Sequence, residues 1–299
     1  MTEKRCGFVS IIGAPNAGKS TLINHLVGAK VSIVSPKVQT TRSRVMGILN
    51  KGATQIVFVD TPGIFTPRKR LDRAMVSAAW QGAKDAEVVL LLIEVARGKI
   101  NDESRDIVEK LKEQGRKVTL VLNKIDLIDK DKLLKIASEL NATGVFTDIY
   151  MISALSGDGT ERLLKDIAEK IPAGPWMFNE DQISDMPMRL LAAEITREKI
   201  FLQLKEELPY ASAVETETWE EFDNGSVKIS QVVYVMRDSQ KAIILGKGGA
   251  QIKKIGEASR IELEEIFDRR VHLSLFVKVR ENWADDPDRY KEWGLDFNS

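Results

Sequence analysis

Gly13-Ala14-Pro15-Asn16-Ala17-Gly18-Lys19-Ser20 sets two glycines five residues apart, then an ammonium and a hydroxyl. A loop of that spacing turns its backbone N–H groups inward around an anion. The Lys19 ammonium can then act as a point charge on phosphate oxygens, and the Ser20 hydroxyl can ligate Mg²⁺. Thr21 continues the polar run as a further phosphate contact. About forty residues on, Asp60-Thr61-Pro62-Gly63 offers a carboxylate for the metal shell and, at Gly63, an N–H that can approach a terminal phosphate. Asn123-Lys124-Ile125-Asp126 adds a second recognition element. A guanine edge presents N1–H and N2–H₂ as paired donors, which the Asp126 carboxylate can accept; adenine has no such pair. Asp126 therefore selects GTP over ATP, Lys124 can lie over the base plane, and Asn123 can tie this run to the phosphate loop. Ser153-Ala154-Leu155 supplies a backbone N–H, that of Ala154, toward guanine O6.

A second run has different chemistry. Gly246-Lys247-Gly248-Gly249 is a G-x-x-G turn, followed by Ala250-Gln251-Ile252-Lys253-Lys254. Glycines let a backbone approach a sugar–phosphate chain closely, Lys247 adds charge at the turn, and Lys253 and Lys254 extend that charge along the next helix. An ordinary helix–helix turn could supply the same four residues, so the surrounding elements decide.

Those elements differ between the halves. Residues 7–12, 45–49, 56–59, 88–93, 118–122 and 149–152 read as short apolar strands, and 20–26, 71–83, 104–114, 131–140 and 160–171 as helices. Alternation with unbroken apolar strands predicts a mostly parallel sheet with helices on both faces. The phosphate loop falls between the first strand and the first helix, where a helix N-terminus adds its positive dipole end. Ile171-Pro172-Ala173-Gly174-Pro175 stops the last helix and predicts a boundary, giving domains 1–175 and 176–299. Beyond it come a helix over 190–204, strands over 212–219 and 227–236 around Asp223-Asn224-Gly225-Ser226, a short helix, the G-x-x-G turn, a helix over 251–267 and a strand over 271–279. That order is αββααβ, an α+β domain. The aromatic tail 285–299, with Tyr290, Trp293 and Phe297, is expected to pack on this second half.

Composition removes several classes of function. Hydrophobic residues are 43% and charged residues 29%, the mix of a chain that buries a real core. The longest apolar run, Val88 to Ile93, is far short of the ~18 residues of a membrane span. The N-terminus is too short for a secretory signal core, so a cytosolic protein is expected. One cysteine, Cys6, and two histidines exclude an internal disulfide and leave little for a His/Cys metal cage. The net charge of zero hides an asymmetry: +7 over 1–175 and −7 over 176–299. Inside the acidic half, 237–260 carries six basic residues against Asp238 and Glu257, a local basic patch that a solvated helix face would also produce.

The four nucleotide elements, in this order, resemble the translation-factor-like GTPases over 1–175. That resemblance implies a threonine that closes over Mg²⁺ between the phosphate loop and Asp60-Thr61-Pro62-Gly63. Gln39-Thr40-Thr41-Arg42 stands there, with Thr41 the better candidate and Thr40 the alternative. Lys19, Asn16, Thr41 and Gly63 are the groups expected to act at the reacting phosphate, and Ser20, Thr41 and Asp60 to hold the metal. Ras-like enzymes follow the glycine with a water-orienting Gln, but here Ile64 follows Gly63 and cannot bond water. Asn16 resembles the asparagine that, in related GTPases with a hydrophobic residue at this place, ligates a K⁺ beside the phosphates; bracing the loop is the alternative role.

The second half resembles a type II KH domain. The two halves together resemble the bacterial GTPases that carry a C-terminal KH domain. This implies a GTP/GDP cycle with Mg²⁺, binding to the 3′ end of 16S rRNA, a role in maturing the 30S subunit, peripheral association with the inner membrane, and a monomeric state. Two other readings remain at this level: a constitutive RNA-binding protein with a structural nucleotide, and a GTPase accessory to tRNA modification.

Overall fold

In the computed structural model, residues 3–37 and 40–299 are described; Gln39 of the threonine-bearing run lies outside them. The chain divides into two units. One takes 1–32, 41–185 and 290–299, the other 33–40 and 186–289.

The first unit is built on β1 (Arg5–Ile12), α1 (Lys19–Val27), β2 (Val45–Lys51), β3 (Thr54–Asp60), α2 (Arg70–Asp85), β4 (Val88–Glu94), α3 (Asp102–Glu113), β5 (Val118–Asn123), α4 (Lys130–Asn141), β6 (Phe146–Ile152) and α5 (Thr160–Lys170). Its six strands run in the order β2-β3-β1-β4-β5-β6, parallel except for β2, which pairs antiparallel with β3. The central strands are buried on both faces, which is why they read as continuous apolar runs rather than alternating ones. One apolar cluster joins Ile12, Leu91, Ile93, Leu120 and Leu122 to α3 and α4; another joins Val9, Ile11, Leu90 and Leu92 to α1 and α5. β1 lies between β3 and β4, so successive connections depart to opposite sides of it. The loop leaving its C-terminal end therefore opens at the topological switch point, where open α/β sheets bind ligands.

Two expectations about the domain limits are corrected. The first unit continues past 175, because Trp176 and Phe178 pack on Cys6, Ile48 and Val57, and the fully buried Gln55 accepts the Met177 and Phe178 N–H groups through Oε1 at 2.9 and 3.0 Å. The aromatic tail also belongs to this unit, not to the second half. Tyr290, Trp293, Leu295 and Phe297 pack against Leu71, Ala74, Met75 and Ala78 of α2, with the Arg70 guanidinium over the Phe297 ring.

The second unit contains α6 (Met188–Gln203), β7 (Ser212–Glu221), β8 (Val227–Val235), α7 (Asp238–Leu245), α8 (Ala250–Phe267) and β9 (Val271–Val279); α9 (Pro287–Glu292) begins in it and ends in the first unit's last stretch. Its sheet order is β7-β8-β9, with β7 and β8 antiparallel and β8 and β9 parallel. The element order matches the αββααβ expectation. Ile200, Val233, Val235, Ile244, Ile255 and Val277 form one core cluster, and Ala192, Ile195, Ile229, Leu263 and Val271 another.

Candidate nucleotide site and nucleic-acid loop

The phosphate loop takes its shape from residues that tolerate left-handed backbone and from close packing. Asn16 and Gly18 have φ of 61° and 98°. A Cβ at Gly18 would stand 2.3 Å from Asn123 Nδ2, so only glycine fits between the loop and that amide. Gly18 caps α1, whose first turn carries no acidic residue, so the positive end of the helix faces the loop undiminished. Lys19 is buried; its Nζ donates to the Gly13 and Ala14 carbonyls at 3.1 and 3.0 Å. Burial brings its pKa down to about 8, opposed by the nearby Asp60.

Asp60, Ser20 and Thr41 meet at the end of β3. Ser20 Oγ donates to Asp60 Oδ2 at 2.7 Å, and Thr41 Oγ1 stands 3.1 Å from Ser20 Oγ and 3.5 Å from Asp60 Oδ2. Ser32, which no motif pointed to, also donates to Asp60 Oδ2, at 2.6 Å. Asn24 holds Ser32 in turn, accepting its N–H at 3.0 Å and donating to its carbonyl at 2.7 Å. Burial raises the Asp60 pKa, and the hydroxyl bonds and Lys19 oppose that rise. Asp60 Oδ1 is buried without a hydrogen-bond partner. The two threonines separate clearly: the Thr40 hydroxyl donates to the Lys37 carbonyl at 2.8 Å, while the Thr41 hydroxyl belongs to the carboxylate cluster.

The remainder of Asp60-Thr61-Pro62-Gly63 is structural as well as chemical. The Thr61 hydroxyl donates to the Ile11 carbonyl at 2.8 Å, which fastens the loop to β1 and removes that side chain from ligand contact. A Cβ at Gly63 would lie 3.0 Å from the Pro15 ring, so the loop closes against the phosphate loop only with glycine there. The Ile64 N–H donates to the Gly13 carbonyl at 3.0 Å while its side chain is buried in the core.

At the base-recognition end, Asn123 is buried and donates from Nδ2 to the Ala17 carbonyl at 2.8 Å, tying β5 to the phosphate loop as expected. The Ala154 N–H donates to Asn123 Oδ1 at 2.9 Å and so braces that amide from the far side. Asp126 is exposed, as its expected role on a ligand edge requires. Lys124, at φ 68°, pairs with Glu94 at 3.4 Å, a partner that sequence spacing did not suggest. The Ser153 hydroxyl accepts the Ser156 N–H at 3.3 Å, and the Leu155 side chain is exposed.

In the second unit, Gly246, Gly248 and Gly249 have φ of 69°, 60° and 78°. A Cβ at Gly246 would meet Gln251 Cβ at 2.7 Å, whereas at Gly248 and Gly249 nothing lies within 4 Å. The turn is thus tight on its inner side and open on its outer side. Lys247, Lys253 and Lys254 are exposed beside it. Two other candidates face elsewhere: Ile252 packs on the core cluster, and Gln251 Nε2 donates to Gln203 Oε1 at 3.2 Å.

Comparison with known proteins places these features in a family. A family model described as a 50S ribosome-binding GTPase matches residues 8–124, and a KH-domain model matches 207–284. The GTPase Era of Brucella suis biovar 1 (strain 1330) is 59% identical over 296 residues, 99% of this chain and 95% of its own length. That of Rhizobium meliloti (strain 1021) is 61% identical over 98% of this chain and 93% of its own. Among solved structures, a variant of Aquifex aeolicus Era bound to GDP·AlF4⁻ is 40% identical, with a TM-score of 0.90 over 97% of this chain and 99% of that one. An Era in complex with MgGDPNP and nucleotides 1506–1542 of 16S ribosomal RNA is 40% identical, with a TM-score of 0.91 over the same shares. The chain belongs to the Era family, GTP-binding and GTP-hydrolysing proteins in which a P-loop GTPase domain is followed by a KH domain.

Proposed function

We propose that this protein uses GTP binding and hydrolysis to control its hold on the 3′ end of 16S rRNA during maturation of the 30S subunit. The observation that carries this reading is the open outer side of the G-x-x-G turn, where Gly248 and Gly249 leave room for a strand's backbone, in the same chain as a phosphate cradle. The Era structure solved with 16S rRNA supports the identity of the strand.

The donor set fits Mg²⁺. Hard oxygens converge at Asp60, Ser20 and Thr41, and buried Asp60 Oδ1 lacks a partner. Ser20 and Thr41 would hold the ion, with Asp60 orienting its shell; when bound, Mg²⁺ neutralises charge on the β and γ oxygens. Lys19 leaves the Gly13 and Ala14 carbonyls to place its charge on the same phosphates, and the loop N–H groups with the N-terminus of α1 complete the cradle. The Gly63 N–H bonds the terminal phosphate, and Asp126 with Lys124 reads the guanine. Ile64, buried in the core, takes no part in orienting water. The Asn16 side chain would supply an oxygen for K⁺, which when bound would add positive charge beside the phosphates. Lys247, Lys253 and Lys254 take RNA phosphates while the turn backbone clamps about four nucleotides.

Turnover of GTP is to be measured with and without 30S particles and a 3′-end 16S RNA oligonucleotide. Nucleotide-dependent RNA affinity and RNA-dependent turnover are the expected results. RNA affinity identical with GDP, a GTP analogue and no nucleotide would instead make the protein a constitutive RNA binder. Peripheral contact with the inner membrane and a monomeric state complete the reading by family resemblance, and vesicle flotation and light scattering test them. Among the described residues no helix is long and apolar enough to cross a membrane.

A further inference from the structure

A groove of about 820 Å³ opens between α2 and the end of α3 in the GTPase unit. Arg73, Ser77, Trp80 and Lys84 line one wall, and Lys110, Gln114 and Arg116 the other. The α2 residues recur at i, i+4, i+7 and i+11, so they share one helix face and extend about 16 Å along it. This is a different face from the one the aromatic tail covers through Leu71, Ala74, Met75 and Ala78. Four cations line the groove and no carboxylate does. Neither Arg73, Lys84 nor Lys110 has an ion-pair partner among the described residues, although carboxylates such as Asp85, Glu109 and Glu113 are close in sequence. Asp85 is occupied by Gln81, a lining residue of the groove, whose Nε2 donates to both its oxygens at 2.8 and 3.0 Å. The Arg116 guanidinium donates to the Ala83 carbonyl, which fixes it at the groove's end. The Trp80 indole is half-buried with Lys110 Nζ 4.7 Å from its ring centroid.

None of these residues belongs to the phosphate loop, the Asp60–Gly63 loop, the base-recognition run or the G-x-x-G turn. We propose that the groove is a second RNA-binding site, which takes the phosphodiester backbone of a single-stranded or looped segment along α2, with a base against Trp80. Uncompensated cations beside an aromatic ring in a concave channel are what single-stranded nucleic acid recognition uses: charge tracks the backbone and a ring takes a base face. The concavity favours a strand over a bilayer, which would meet a flat or convex cationic surface. The choice of RNA rests on the function proposed above; the groove itself is independent of the KH turn.

The test uses the full chain carrying Lys84→Ala with Lys110→Ala, the Gly248→Asp chain, and the three substitutions combined. The probes are purified 16S rRNA and a mixed-sequence 20-nucleotide RNA, titrated over a range of salt. Loss of two single-strand phosphate contacts should flatten the log–log salt slope by about 1.4, which corresponds to about 25-fold weaker binding at 0.1 M salt if the contacts vanish at 1 M. GTP turnover without RNA and the melting temperature should stay at wild-type values. Photocrosslinks from RNA should map to α2 both in the wild type and in Gly248→Asp. An unchanged slope with no crosslink to α2 overturns the groove site while leaving the KH reading intact. An unchanged affinity in Gly248→Asp alone strikes the KH reading and not the groove. Wild-type RNA binding together with lost binding to phosphatidylglycerol vesicles would assign the groove to a membrane surface and overturn the proposal.

Discussion

Asn123→Ala isolates what joins the guanine end of the site to its phosphate end. The side chain is 1% exposed and makes two bonds with opposite polarity, donating to Ala17 O at 2.8 Å and accepting from Ala154 N at 2.9 Å. Truncation orphans a buried carbonyl and a buried N–H. At about 1–3 kcal/mol for each group left unpaired, the two together cost roughly 2–6 kcal/mol. The bonds hold the loops on either side of β5 in register with the phosphate loop, so a bound nucleotide must then supply the ordering that the amide supplied. A loss of about 2 kcal/mol in binding is a rise in Kd of roughly thirtyfold. Asn123→Asp does not rescue, because it keeps the acceptor for Ala154 but sets a carboxylate against the Ala17 carbonyl. Calorimetric titration with GDP and a non-hydrolysable GTP analogue measures the affinity, and a thermal melt without nucleotide measures the stability share. Wild-type Kd and wild-type melting temperature in both variants would refute the claim that this amide couples the two ends.

Asp126→Asn should move preference from GTP to XTP at a cost to GTP of about 2–4 kcal/mol, because the guanine donors go unpaired; equal GTP affinity in a competition titration removes Asp126 from the base site. Lys19, lowered to about 8 by burial, sets a pH dependence. Between about pH 8 and the unfolded value near 10.5 the folded, nucleotide-free protein has lost a proton that the unfolded chain keeps, so this group's contribution to stability rises with pH there. Phosphate binding restores the proton, so GTP affinity should fall by up to about tenfold per pH unit above 8. Calorimetry in two buffers of different ionisation enthalpy should show proton uptake there, and a flat affinity from pH 7 to 9.5 contradicts the assignment. Hydrolysis should be faster in K⁺ than in Na⁺ at equal ionic strength; equal rates return Asn16 to a loop brace. Ile64→Gln should yield no Ras-like rate and a lower melting temperature, since it buries an amide in the core at about 1–3 kcal/mol; a gain in turnover would count against this. Gly248→Asp should strongly weaken binding of the 3′-end RNA, leaving only what the groove on α2 holds, with GTP affinity unchanged, and Lys253→Ala should reduce the salt slope by about 0.7; full binding by a folded Gly248→Asp chain defeats the KH assignment.

The motifs were legible because each is a run of neighbours whose spacing is itself the geometry: Gly13 to Ser20 makes a loop, and no distant partner is needed to see it. Strand and helix identity followed from unbroken apolar runs such as Val88 to Ile93. What escaped the sequence has the opposite character. Ser32 reaches Asp60 from 28 positions away, and Glu94 meets Lys124 only because parallel pairing sets the ends of β4 and β5 side by side. The bond from the Ala154 N–H to Asn123 Oδ1 was not foreseen either, since a backbone N–H carries no side-chain signature. The domain limits erred for a related reason. Ile171-Pro172-Ala173-Gly174-Pro175 does end a helix, but Trp176 and Phe178 beyond it return to the first core. The threonine pair shows geometry choosing where spacing offered two candidates.

The tail on α2 has a topological consequence. Residues 186–289 lie between two stretches of one unit, so the KH half is an insertion closed by a non-covalent clasp, not a bead at the end of a string. The clasp grips the first helix after the Asp60-Thr61-Pro62-Gly63 loop, through Tyr290 and Leu295 against Ala74 and Met75. A cut after residue 284, where the matched KH segment ends, therefore does not separate two self-sufficient modules. It uncovers an apolar seam on α2, formed by Leu71, Ala74, Met75 and Ala78, and any displacement of α2 must carry residues 290–299 with it or part from them.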